Sequence, residues 1–239
     1  MKEGDSIGVV DYGMGNLRSV SKALESLGFP VIVSGSPAKL SRCAGIVLPG
    51  VGAFRDCMRN LDRQGFLPFL ADVLGEGRPF LGICLGLQVL FSESEEFGRH
   101  EGIGFFPGKV VRFPSGLRET GPGGREMVLK VPHMGWNRVD VIMDHPVFQG
   151  IPEGSYFYFV HSYYVEPEDP SCVACRSSYG LSFASAVGKE NQVAVQFHPE
   201  KSQGAGLAVL ANFGRLCLGA GDMTRAAGGE KRGMGWHSR

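Results

Sequence analysis

Four short apolar runs fall in the first third of the chain, each followed by a stretch of helical character. This alternation limits the available folds more than any other feature. Residues 7–12 (IGVVDY), 30–34 (PVIVS), 45–50 (GIVLPG) and 79–83 (PFLGI) read as strands. Between them, Leu17, Val20, Leu24 and Leu27 recur at helical spacing within 16–28, and Gly28 stops that helix. A short helix is expected at 36–42, helix around the glycines of 54–77, and another over 85–96 (LGLQVLFSESEE). Strands that alternate with helices are joined by crossovers, which give a parallel sheet covered on both faces.

The rest of the chain changes character. Runs at 108–113, 125–131, 137–142, 156–166, 172–178, 181–188 and 192–197 are strand candidates separated by turns, and 204–218 reads as a closing helix. The expectation is one α/β domain over 6–218, with an open, mostly parallel sheet, flanking helices and an added antiparallel portion. Residues 114–124 (PSGLRETGPGG) read as a flexible surface loop. Residues 219–239 offer little apolar surface to bury and read as a flexible tail.

Charge and cysteine usage narrow the setting. With 24 Lys+Arg against 24 Asp+Glu, no global field points to nucleic acid or an anionic membrane. No apolar run approaches the ~20 residues that span a bilayer, and the first residues lack a signal peptide's apolar segment, so a cytoplasmic location is expected. The six cysteines are then expected to be reduced. Cys172 and Cys175 form a C-x-x-C, but no second pair or histidine completes a zinc site, and they read as structural.

At the end of the fourth apolar run stands Gly82-Ile83-Cys84-Leu85-Gly86. This is the G-x-S-x-G nucleophile elbow with cysteine in place of serine: a sharp strand-to-helix turn exposes the nucleophile, and the glycines let the chains pass closely. A helix N-terminus favours thiolate over thiol, and the N–H of Leu85 is where an elbow supplies an oxyanion donor. The competing reading is a buried structural cysteine. A thiolate needs an oriented base, and His198 stands out among six histidines because Pro199 and Glu200 follow it at the end of an apolar strand. Side chains two apart in extended backbone share a side, so Glu200 can hold the imidazole in one tautomer.

An elbow of this kind followed much later by His-Pro-Glu resembles the class I glutamine amidotransferases. Within them the chain resembles the glutaminase subunits of imidazole glycerol phosphate synthase, through DYGMGNLRSV (11–20), LPGVGAF (48–54), GICLGLQ (82–88), PHMGWN (132–137) and QFHPEKSQ (196–203). The resemblance covers roughly residues 6–217 and implies the flavodoxin-like fold of that family, with Cys84, His198 and Glu200 as catalytic triad. It implies an oxyanion hole from the backbone of Val51 and Leu85, and a substrate site involving Gly50, Gly52, Gln88, Glu96, Ser162 and Tyr163. For Glu96 the plainer reading is a solvated helix end, and His161 reads as structural. No metal or organic cofactor is implied. The implied partner is a (β/α)8-barrel cyclase that receives ammonia, facing Asn16, Arg18, Trp136, Tyr158 and Lys201. For Trp136 a core position is the alternative. Gly13 and Gly15 suggest a dinucleotide fingerprint, but Arg18 stands where it requires glycine. The remaining alternatives are another glutaminase of the class, a free-standing γ-glutamyl hydrolase, and a non-catalytic homologue.

Overall fold

A computed structural model describes residues 4–120, 124 and 126–219. In chain order the first elements are β1 (Ile7–Val10), α1 (Leu17–Ser26), β2 (Val31–Ser34), α2 (Pro37–Leu40), β3 (Gly45–Gly50), α3 (Phe54–Arg63), α4 (Phe66–Gly75), β4 (Phe80–Cys84) and α5 (Leu85–Gln88). Then come β5 (Phe91–Ser94), β6 (His100–Glu101), β7 (Phe106–Arg112), β8 (Arg118–Thr120), β9 (Glu126–Val128), β10 (His133–Arg138) and β11 (Asp140–Val141). The last are β12 (Tyr156–His161), β13 (Tyr163–Pro167), β14 (Val173–Ser178), β15 (Ser182–Lys189), β16 (Gln192–Val195) and α6 (Gln203–Leu218).

The main sheet runs β2-β1-β3-β4-β16-β15-β13-β7-β5-β6. Its first five strands are parallel, and the antiparallel portion begins where β15 meets β16. β1, β3, β4 and β16 are buried at every residue, as expected of parallel strands covered on both faces. Ile7, Val9, Val47, Leu81 and Ile83 pack on one face with Val20 and Leu24 of α1 and Val209, Leu210 and Phe213 of α6. Val10, Ile46, Leu48 and Phe80 pack on the other with Leu40, Phe54, Leu61, Phe66 and Leu70. Gly65, at φ +71, separates α3 from α4 in a left-handed turn that favours glycine.

Three expectations change. The helix expected over 85–96 ends after one turn at Gln88, and Phe91–Ser94 is a strand paired in parallel with β7. Tertiary pairing wins there over helical spacing. Within 114–124, Arg118–Thr120 forms a hairpin with Glu126–Val128, all six residues exposed. Glu126–Val128 falls in the expected run 125–131, while Arg118–Thr120, exposed at every residue, carries no apolar alternation to announce it. The run 156–166 breaks at Ser162: β12 pairs only with β10, while β13 joins the main sheet. The tail expected from 219 lies outside the described residues beyond Gly219.

Candidate active site

Three parallel strands deliver the site. Gly50, the last residue of β3, stands opposite Cys84, the last of β4, while Val195 at the end of β16 stands opposite Ile83. The loop 49–52, the elbow and the segment 196–200 therefore leave the sheet side by side at its carboxyl edge, where open α/β sheets place ligands.

Cys84 has φ +56 and ψ −106, a conformation that an L-residue keeps only under constraint from its surroundings. Glycines supply the constraint. A Cβ at Gly86 would run into the carbonyl oxygen of Leu48, and one at Gly82 would lie 2.6 Å from the Gly86 carbonyl and 2.9 Å from Ala194 Cβ. At Gly50 it would lie 2.7 Å from Leu85 Cβ. Gly50 is thus a point of close packing behind Cys84 and does not line the cavity in front of it.

His198 Nδ1 lies 2.8 Å from Glu200 Oε1, with both side chains buried. The backbone of His198 is held as well: its N–H donates to Tyr158 O (2.9 Å), and its carbonyl accepts from Ser202 Oγ (2.6 Å) and Lys201 N (3.0 Å). Nε2 makes no hydrogen bond of ordinary geometry among the described residues. Burial works against a charge on this imidazole, but contact with Cys84 and Glu200 outweighs it and holds the pKa up at about 9. Near neutral pH the ring is an imidazolium beside the sulfur.

In front of Cys84 opens a cavity of about 580 Å³. Val51, Gly52, Leu85, Gln88, Glu96, Ser162, Tyr163 and His198 line it, and the sequence had not pointed to Phe97, Arg112, Pro132 or Val160. Leu85 opens α5, where a backbone N–H has no acceptor within the helix. Glu96 is no solvated helix end: its Oε2 accepts from the N–H of Phe54 at 2.6 Å, at the start of α3. Gln88 gives its amide N–H groups to Tyr163 O (3.0 Å) and Gln196 Oε1 (3.1 Å), so it offers a substrate an acceptor rather than a donor.

The Tyr163 carbonyl also receives His161 Nδ1 at 2.9 Å. A carbonyl only accepts, so the proton of His161 is on Nδ1, and its Nε2 accepts from His133 Nδ1 at 2.9 Å. Burial pushes His133 down to about 4, and burial together with neighbouring histidines pushes His161 down to about 3, so both rings are neutral.

The five residues expected to face a partner lie away from the cavity lining. Trp136 is 46% exposed, and its ring meets Tyr158 edge-on at 6.2 Å, directly across the β10–β12 ladder. Lys201 Nζ sits 5.8 Å over the Tyr158 ring. Trp136 is therefore a surface residue and not a core aromatic. Asn16 and Arg18 flank the first residue of α1, a helix that touches the 199–201 turn. Cys172 and Cys175 are free thiols, and among the described residues no group of three or more His, Cys, Asp or Glu is placed to hold a metal ion.

A strained cysteine at a strand-to-helix elbow, a buried histidine–glutamate pair and a cavity between them have the arrangement of hydrolases that act through a thiol. The chain belongs to the class I glutamine amidotransferases, whose family model, Glutamine amidotransferase class-I, matches residues 8–216. It is similar to the imidazole glycerol phosphate synthase subunit HisH of Syntrophotalea carbinolica, 55% identical over 208 residues that cover 87% of this chain and 98% of that one. The subunit of the same name from Geobacter sulfurreducens is 52% identical over 210 residues, 88% of this chain and 98% of the relative. Among solved structures, PurLQS from Thermotoga maritima superposes with a TM-score of 0.66 at 19% identity, covering 87% of this chain and 96% of the other. That likeness speaks for the fold alone.

Proposed function

We infer that this chain is the glutaminase subunit of an imidazole glycerol phosphate synthase, which hydrolyses glutamine to glutamate and ammonia for a partner cyclase in histidine biosynthesis. One observation carries the chemistry: Cys84 and the His198–Glu200 pair meet at one wall of a cavity that also presents Glu96 and Arg112. Opposite charges at the cavity wall suit the zwitterionic end of an amino acid. The high identity to HisH relatives over nearly their whole length supports the physiological role.

The Cys84 thiolate attacks the side-chain amide carbon of glutamine, and the N–H groups of Leu85 and Val51 receive the developing oxyanion. The C–N bond breaks as imidazolium His198 hands its proton to the leaving nitrogen, which departs as ammonia. Neutral His198 then takes a proton from water as the water oxygen attacks the γ-glutamyl thioester. The C–S bond breaks, glutamate leaves, and thiolate and imidazolium are restored. Glu200 keeps the imidazole in one orientation throughout.

The cyclase, in this reading a (β/α)8 barrel, docks on the surface of Trp136, Tyr158 and Lys201 with Asn16 and Arg18 beside it. It takes the ammonia directly, before solvent protonates it, to form imidazole glycerol phosphate and an aminoimidazole carboxamide ribotide. The test is glutamine hydrolysis by the isolated chain, by the chain with cyclase, and by both with the cyclase's ribonucleotide ligand. Low activity alone and strong activity in the last mixture is expected. Full activity of the isolated chain would favour a free-standing γ-glutamyl hydrolase instead.

A further inference from the structure

A second side chain touches the sulfur. Because Val195 stands opposite Ile83 in the parallel ladder of β4 and β16, the next residue along, Gln196, comes level with Cys84. Its side chain is fully buried, and its amide Nε2 lies 3.6 Å from Cys84 Sγ. An amide at this distance has two orientations with opposite effects. Its NH2 end stabilises a thiolate, whereas its oxygen end repels one.

The surroundings select between them. Gln88 lies 3.0 Å from the backbone carbonyl oxygen of Tyr163, which only accepts, so the Gln88 atom placed there is its NH2. The second hydrogen of that NH2 points to Gln196 across 3.1 Å, so the Gln196 atom it meets is the oxygen. The NH2 of Gln196 is thereby turned to the sulfur. One main-chain carbonyl fixes, through two side-chain amides, a donor on the nucleophile. Rotating Gln88 would place oxygen against oxygen, and rotating Gln196 would place nitrogen against nitrogen, inside the protein, where unmatched polar groups are costly.

We propose that Gln196 is a catalytic residue whose side-chain N–H hydrogen-bonds the Cys84 sulfur and favours thiolate over thiol before substrate arrives. The proton released from sulfur goes to His198 Nε2, so the charges created are an imidazolium and a thiolate that accepts from Gln196. Gln88 acts behind Gln196 as the positioning residue that fixes the direction of its amide. The inference rests on Cys84 being the nucleophile, and it adds a residue that the triad does not contain.

Alkylation of Cys84 by iodoacetamide, followed residue by residue in the full-length chain at pH 7 and pH 10, tests it without using glutaminase activity. Gln196→Met keeps the size of the side chain and removes the donor. Gln196→Glu keeps the shape and presents only oxygen. At pH 7 both variants should alkylate Cys84 about tenfold more slowly than wild type, the effect of one hydrogen bond to a charged group. At pH 10, where a thiol ionises unaided, Gln196→Met should match wild type. Buried Cys43, Cys57 and Cys175 should stay unlabelled, which reports that a variant has kept its fold. Equal rates at pH 7 would overturn the proposal. Equal slowing at both pH values would overturn it too, since that is lost access and not lost thiolate. An unreactive Cys84 in the wild-type chain would overturn the nucleophile assignment itself, and this proposal with it.

Discussion

His198 and Glu200 are two residues apart in sequence and 2.8 Å apart through Nδ1 and Oε1, with both side chains almost fully buried. Burial opposes the imidazolium, but Cys84 and Glu200 hold its pKa up at about 9, above the ordinary 6.5. A histidine raised in the folded state contributes stability in full below about pH 6.5 and loses it as pH rises through about 9. Glutamine hydrolysis in the stimulated complex should therefore persist through neutrality and fall on an alkaline limb near pH 9. Glu200→Gln should move that limb to lower pH, and His198→Ala should cost about 10²–10⁴-fold at all pH values. A pH–rate profile of the three proteins checks both. An unshifted limb in Glu200→Gln would remove Glu200 from its role.

The backbone of Cys84 leads to a comparison of two substitutions. Glycine normally costs about 0.5–1 kcal/mol relative to alanine in regular structure. At φ +56 and ψ −106 the order should invert, since only glycine adopts this conformation without strain. Cys84→Gly should be at least as stable as Cys84→Ala in urea denaturation, with both inactive. A less stable glycine variant would mean that the turn is unstrained.

Gly86 should behave in the opposite way. It opens toward the Leu48 carbonyl, so Gly86→Ala pushes a methyl group into main chain that cannot yield. In an ordinary helix the change gains about 1 kcal/mol. Here it should lose about 1–3 kcal/mol by overpacking, and it should displace the Leu85 N–H and depress hydrolysis. Urea denaturation and a single-turnover assay measure the two losses.

The histidine pair makes a prediction of its own. His161→Phe removes one of the two donors on the Tyr163 carbonyl and leaves His133 Nδ1–H without an acceptor, at about 1–3 kcal/mol. Glutamine KM should rise more than kcat falls, because Tyr163 lines the cavity rather than the reacting bond. Adding His133→Phe should return part of the stability. Both rings are neutral in the fold, with pKa values pushed below the ordinary 6.5 by burial, so the unfolded chain binds more protons below pH 6.5 and stability falls as pH drops toward 4. The double variant should show a shallower acid slope in pH-dependent denaturation.

Val51 is 39% exposed and is followed by Gly52 at φ +93, so the peptide expected to complete the oxyanion hole lies in a loop with room to reorient. Loss of one oxyanion donor costs roughly 10²–10³-fold in rate. Val51→Pro, which lacks the N–H, should abolish most of the stimulation by cyclase and its ligand while the complex still assembles. Undiminished stimulation would assign the donor elsewhere.

What can be read from the sequence follows how local the physics is. Cys84 between two glycines, and His198 two residues from Glu200, declare themselves because a turn or one strand end sets their geometry. The same period of two, carried one step back from His198, reaches Gln196, so that contact was readable as well. Phe91–Ser94 could not be read in this way. Leu87, Leu90 and Phe91 satisfy helical spacing, and only the distant pairing with β7 makes the last stretch a strand. The run 125–131 contains the strand Glu126–Val128, but its partner Arg118–Thr120 is exposed at every residue, so no apolar pattern marks it. Arg112, the last residue of β7, stands opposite Tyr163 in the ladder with β13, and only that long-range pairing brings it to the cavity.

The backbone N–H of His198 donates to the carbonyl of Tyr158, whose ring meets Trp136 at the surface proposed for the cyclase. The buried imidazole beside Cys84 and the residue whose ring meets Trp136 are thus joined by one backbone hydrogen bond. Coupling between binding sites is symmetric: any factor by which the docked partner tightens glutamine, glutamine must return to the affinity for the partner. In the proposed complex, a partner whose docking tightened glutamine would itself be held more firmly once glutamine is bound, so assembly would follow nitrogen supply.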